Sequence, residues 1–153
     1  MFSKSNKLLN INTEWERLTV AYQPHYLTEV RTAQANAYAP YSNFKVGAYL
    51  RTKDGKAFHG ANVENAAYPM AICAERSSLV SAISEGYKPG DFESITVTVD
   101  ADKPSSPCGA CRQFMKELCD DDMPVYMTNQ NGDLIESTVG DLLPLGFSGK
   151  DLN

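Results

Sequence analysis

Long apolar runs are missing from this chain. No segment approaches the roughly 18 consecutive apolar residues that a membrane-spanning helix needs, and residues 1–12 carry lysines but no apolar stretch of signal-peptide length. These two absences exclude a helical membrane span and predict a reducing, cytoplasmic setting. Positive charge is scarce as well: 14 Lys and Arg stand against 19 Asp and Glu, for a net charge of −5. The basic residues are scattered from Lys4 to Lys150 and form no stripe of the kind that neutralises phosphates. Neither nucleic acid nor a membrane is therefore an expected partner, and a small molecule is. Internal repeats and low-complexity tracts are absent too. The two histidines, His25 and His59, stand in no motif and read as surface or core residues.

What is present is an ordinary globular composition of 153 residues, 42% hydrophobic and 22% charged, enough for one domain with its own core. Residues 1–22 read as an extension, in which Thr13-Glu14-Trp15-Glu16 has the form of a capping box, and residues 23–153 as the domain proper. Residues 25–38 are patterned as a helix, with Leu27, Val30, Ala33, Ala37 and Tyr38 near one face. Two strands, 44–52 and 57–63, flank the turn Lys53-Asp54-Gly55-Lys56, a strong hairpin signal. A helix over 71–84, an alternating strand over 94–100 and a second helix over 108–120 follow. A second hairpin joins 124–128 and 133–137 through Asn131-Gly132, before a last helical turn at 139–143. This order predicts an α/β fold of three layers, a mixed five-stranded sheet with helices on both faces.

Cysteine is sparse, four residues in all, yet its placement is the most informative feature of the chain. Cys73-Ala74-Glu75 opens one predicted helix and Pro107-Cys108-Gly109-Ala110-Cys111 opens another, with Pro107 suited to the first helical position. A lone Cys-x-x-Cys is a weak signal, equally a redox pair or two buried hydrophobes. With a distant Cys-x-Glu also opening a helix, the metal reading wins over the redox one. Three thiolates would leave a tetrahedral Zn²⁺ one vacant corner for water, the mark of a catalytic site. Glu75 could then move protons between that water and a substrate. Cys119 lies two turns beyond Cys111, roughly 12 Å along a helix axis, too far to share an ion bound at about 2.3 Å. Arg76, three residues after Cys73, should project to the same side and offset the surplus charge of three thiolates.

The residues named so far, with their surroundings, resemble the zinc-dependent cytidine deaminases of the short, homotetrameric type. The likeness rests on Ala39-Pro40-Tyr41-Ser42-Asn43-Phe44-Lys45-Val46-Gly47-Ala48, Asn62-Val63-Glu64-Asn65-Ala66-Ala67-Tyr68 and Cys73-Ala74-Glu75-Arg76. Residues 107–113 and Leu142-Leu143-Pro144 complete it. It runs over residues 37–152; residues 1–22 and Tyr49 depart from the pattern. The resemblance implies hydrolytic deamination of cytidine and 2′-deoxycytidine in pyrimidine salvage, one Zn²⁺ per subunit on Cys73, Cys108 and Cys111, and Glu75 as the proton shuttle. It implies that the Ala74 N–H holds the base carbonyl and that the Ser106 carbonyl receives the leaving amine. Asn62 and Glu64 would bind the ribose 3′-hydroxyl, Phe44 would cover the nucleoside, and Tyr68 and Phe147 would reach into a neighbouring subunit's site. On their own, Asn62 and Glu64 read as polar residues at a strand end and Phe44 as core.

Three rivals stand beside this expectation. A deaminase of another cytosine nucleoside, such as blasticidin S, would share the fold, but the implied Asn62–Glu64 ribose pair and the Phe147 end favour the plain nucleoside. A polynucleotide-editing deaminase conflicts with the acidic charge. A structural zinc module would need a fourth ligand, for which Cys119 is the nearby candidate.

Overall fold

The computed structural model describes residues 21–152, so the capping box read at 13–16, which would open a short helix before Pro24, lies outside the described residues. Helix α1 (Pro24–Ala35) starts with its proline at the first turn, where the missing N–H costs nothing. The hairpin of β1 (Val46–Thr52) and β2 (Ala57–Ala61) follows, then a 3₁₀ turn (Tyr68–Met70) and helix α2 (Ala74–Ser84). Strand β3 (Phe92–Val99), helix α3 (Gly109–Leu118), the hairpin of β4 (Pro124–Asn129) and β5 (Leu134–Thr138), the single turn of α4 (Val139–Leu142) and a last 3₁₀ turn (Gly149–Leu152) complete the order. The five strands form one sheet in the order β2-β1-β3-β4-β5. β3 and β4 run parallel and every other pair is antiparallel, so the sheet is mixed.

Strand alternation divides the sheet into two unlike faces. Tyr49 and Tyr126 point to the side covered by α1, where they meet Tyr26 and Val30. Ala48, Leu50, Ile95, Val97, Val125 and Met127 point to the other side and pack with Leu79 and Ala82 of α2 and Met115 of α3. Each face has one glycine that lets a helix approach closely. A Cβ on Gly47 would lie 2.3 Å from the Val30 carbonyl oxygen of α1, and one on Gly60 would lie 2.2 Å from the Ala74 carbonyl oxygen of α2. The second contact seats the first turn of α2 directly on β2.

The element order matches expectation, and several boundaries move. The first helix stops at Ala35, because Tyr38 leaves it to pair with Val63. Helix α2 starts at Ala74, three residues later than predicted. Ile72 is bridged to Val63 and Cys73 is extended at φ −73°, ψ 155°, so Cys73 caps the helix from outside. In the same way Cys108 is the N-cap of α3, which puts Pro107 before the helix and not at its first position. Strand β1 begins at Val46, since Asn43 takes a left-handed φ of 57° that breaks the extended run.

Candidate metal centre and substrate site

Two helix starts converge on one side of the sheet. Cys73 precedes α2, while Cys108 precedes α3 and Cys111 lies in its first turn. The Sγ atoms of Cys73 and Cys108 are 3.8 Å apart, and the three sulfurs all lie within 4.8 Å of one another. Tetrahedral bonds of about 2.3 Å to one Zn²⁺ require sulfur separations of about 3.8 Å, so this donor set fits such an ion. No other described Cys, His, Asp or Glu belongs to the cluster. Cys119 is the C-cap of α3, buried among core residues away from the trio, and burial pushes its thiol up to about 12. It behaves as a packed core thiol.

Electrostatics around the sulfurs favour anionic ligands. Helix starts leave N–H groups without intrahelical partners, and these attract negative charge. Without an ion, the hydrogen bond from Cys111 holds the Cys73 thiol below its ordinary value, with Arg76 and Cys108 adding to the effect. Cys111, the donor of that bond, is pushed upward. Arg76 places Nη2 3.7 Å from Cys73 Sγ and 3.5 Å from the Ala71 carbonyl oxygen, on the side the sequence suggested. Glu75 is buried beside the trio in the first turn of α2, only 4% exposed. Burial raises its carboxyl above the usual range, and the negative charge of Cys73 adds to the rise.

A cavity of about 350 Å³ lies next to this centre, lined by Tyr41, Ser42, Glu64, Asn65, Tyr68 and Ala71. Its link to the centre is Ala71, whose carbonyl is 3.5 Å from the same Arg76 Nη2 that stands 3.7 Å from Cys73 Sγ. Asn62 and Glu64 both reach toward residues 41–46, though each is already engaged there. Asn62 accepts from the Val46 N–H and donates to the Phe44 carbonyl, both at 2.8 Å. Glu64 accepts from the Tyr41 N–H at 2.8 Å, the Ser42 N–H at 3.2 Å and the Ser42 hydroxyl. The Ser42 bond, first among these, lowers the Glu64 carboxyl below its ordinary value. Phe44 stands partly exposed at the end of this loop, and Tyr68 packs edge-on against Tyr41 at 5.9 Å. A larger cleft of about 980 Å³, lined in part by Glu93, Asp120, Tyr126 and Asp141, touches none of these groups.

The comparisons with known proteins follow this geometry. The model of the "cytidine and deoxycytidylate deaminase zinc-binding region" family matches residues 22–127. A cytidine deaminase of Sporosarcina psychrophila is 48% identical over 127 residues, 83% of this chain and 92% of that protein. One from Halalkalibacterium halodurans is 49% identical, over 83% of this chain and 95% of its own. The crystal structure of cytidine deaminase from Burkholderia pseudomallei superimposes with a TM-score of 0.80. It is 50% identical, with 82% of this chain and all of that one covered.

The chain belongs to this deaminase family.

Its cofactor is accordingly one Zn²⁺, for which the sulfur trio is the fitting donor set. The family match begins at residue 22, before the resemblance read from the motifs, which starts at 37. Two parts of the site went unnoticed in the sequence. Ser42 is the hydroxyl partner of Glu64, and nothing in the spacing of the two residues links them. Arg112, inside the Pro-Cys-Gly-Ala-Cys-Arg-Gln motif, sends its guanidinium back to Ser106 and Pro107. Its neighbour Gln113 donates to the Phe147 carbonyl at 2.8 Å, which fastens the carboxy-terminal arm along α3. The position of Arg112 directly after Cys111 was the available signal.

Proposed function

We propose that this chain is a cytidine deaminase, converting cytidine and 2′-deoxycytidine to uridine and 2′-deoxyuridine with water consumed and ammonia released. The observation that carries the reading is a buried Glu75 carboxyl next to three converging cysteine sulfurs. A zinc ion held by Cys73, Cys108 and Cys111 supplies the Lewis acidity that makes water a nucleophile at neutral pH. Glu75 takes one proton from the attacking water and delivers it to N3 of the base. It then takes the second proton from the new C4 hydroxyl and delivers it to the departing amine, leaving the C4 carbonyl of uridine and free ammonia. A carboxyl raised by burial suits both halves of that task, because it must serve as base and then as acid. The Ala74 N–H, unpaired at the start of α2, holds the base carbonyl, and the Ser106 carbonyl accepts from the leaving amine. Arg76 offsets the surplus negative charge of three thiolates through its contact with Cys73.

On the sugar side, Asn62 and Glu64 present the ribose-binding edge while they hold residues 41–46, and Phe44 covers the nucleoside. Tyr68 is 72% exposed and Phe147 56% exposed, large apolar surfaces beside the site that a neighbouring subunit would cover. This exposure favours a neighbouring subunit over both residues. The homotetramer in which they complete an adjoining site, and cytoplasmic pyrimidine salvage as its setting, rest on the resemblance to the short cytidine deaminases. Purified protein mixed with cytidine should release ammonia stoichiometrically with uridine, and a zinc chelator should abolish the release. Protein that holds zinc but yields no ammonia from either nucleoside would end the reading. Blasticidin S offered in parallel should turn over far more slowly than cytidine.

A further inference from the structure

The segment between β3 and the metal helix has no regular structure, and it carries Ser106. Pro104 and Pro107 lack N–H groups, so the segment has few donors with which to tie itself down. Among the described residues, every hydrogen bond to residues 103–107 comes from one side chain, Arg112. Its Nε donates to the Pro107 carbonyl at 2.7 Å and its Nη2 to the Ser106 hydroxyl. The third donor, Nη1, takes the Leu142 carbonyl at 2.8 Å, at the end of α4. Such a last-turn carbonyl has no partner within its own helix, and Leu142 itself packs against the core. Asp102, earlier in the segment, is held by Asn129 and Gln130, so the guanidinium is the strap for residues 106 and 107, tying them to α4, whose Leu142 packs against the core.

We infer that Arg112 is a positioning residue for deamination, fixing residues 106 and 107 so that the Ser106 carbonyl faces the departing amine. The inference rests on the deaminase reading above and assigns Arg112 no contact with substrate. Three acceptors at three places demand a planar fork, and an ammonium on a single stem cannot serve all of them at once. Loss of the strap frees the loop by an ångström or so, enough to cost up to about a hundredfold in rate when a reacting group is misplaced. The damage should fall on the amine-departure side alone. Uridine has an oxygen where cytidine has its amine, so its binding does not need the Ser106 carbonyl in place.

The test compares Arg112→Lys and Arg112→Ala with the parent protein in four measurements: zinc per chain, thermal midpoint, kcat and KM for cytidine, and the inhibition constant of uridine. Expected for Arg112→Lys are one zinc per chain, kcat lowered at least tenfold, and KM and the uridine constant within threefold of the parent. Methylguanidinium at non-denaturing concentration should restore part of the kcat of Arg112→Ala, which a folding defect alone would not allow. A kcat for Arg112→Lys within threefold of the parent overturns the inference. So does a loss that merely follows missing zinc or unfolded protein, or one accompanied by an equal loss of uridine binding. A parent protein that releases no ammonia from cytidine would instead defeat the deaminase reading, and is told apart because it is assayed first.

Discussion

The two faces of the sheet use the same device for different ends. On one, Gly47 brings α1 against β1, and the space around it is filled by Tyr22, Tyr26, Tyr49 and Tyr126 in edge-on and tilted contacts. On the other, Gly60 brings the first turn of α2 against β2, and aliphatic and methionine side chains fill the core. Only the second face brings two helix starts together, and it alone carries the sulfur trio. Close packing is therefore common to both faces, whereas chemistry needs in addition that unpaired N–H groups and ligand side chains converge. The tyrosine face stabilises the sheet, and the glycine contact on the other face sets where Glu75 and Cys73 stand.

That contrast can be broken most sharply at Glu75. Glu75→Ala should lower kcat by about 10²- to 10⁴-fold, the usual contribution of general acid–base catalysis, while metal analysis still finds one zinc per chain. Loss of zinc together with activity would mean that the carboxyl is structural.

Next in size are the paired glycine variants. Gly47→Ala and Gly60→Ala both force a Cβ into backbone atoms and should each cost about 1–3 kcal/mol in denaturant unfolding. Only Gly60→Ala should also lower zinc occupancy and kcat, because it displaces the Ala74 carbonyl. Equal effects of the two variants on turnover would erase the division between the faces.

A pH titration of thermal stability examines groups on both faces. Burial pushes the Tyr126 hydroxyl up to about 12, helped by Glu136, and the Cys119 thiol likewise to about 12. Both stay protonated in the folded protein above the pH at which the unfolded chain ionises, about 10 for tyrosine and 8.5 for cysteine. Stability from these groups is thus fully present below pH 8.5 and is lost as pH rises toward 12. The thermal midpoint should fall over that window, and Tyr126→Phe should make the fall above pH 10 shallower. A curve unchanged by Tyr126→Phe would remove that phenol from the account.

The smallest effect belongs to Cys119→Ser, about 1–3 kcal/mol of stability for a buried hydroxyl left to find a partner. Zinc content and kcat should not change. Release of zinc by this variant would revive the structural module with a fourth sulfur ligand.

Much of the fold was legible because its signals are local. Alternation at residues 95, 97 and 99 revealed β3, and Asp54-Gly55 and Asn131-Gly132 marked both hairpins. Boundaries failed where a distant contact overrode propensity. Ile72 looked like the first turn of a helix, yet it pairs with Val63, and this leaves Cys73 extended as a cap. The site was legible to the same depth. Cys-x-Glu and Cys-x-x-Cys name a ligand chemistry by themselves, but Glu64 and Ser42 are 22 residues apart and nothing in their spacing joins them.

By itself the sequence determined the identity and order of the elements, the absence of a basic stripe, and the thiol and carboxyl groups available for chemistry. These follow from side-chain character and from periods of two and 3.6 residues, properties that act over a few positions. Tertiary structure alone decided that sulfurs 35 residues apart stand 3.8 Å from each other, that Glu75 is buried beside them, and that one guanidinium holds the loop before the metal helix. Each of these depends on two helices being seated on one sheet, and close packing of distant segments leaves no mark in any short stretch of chain.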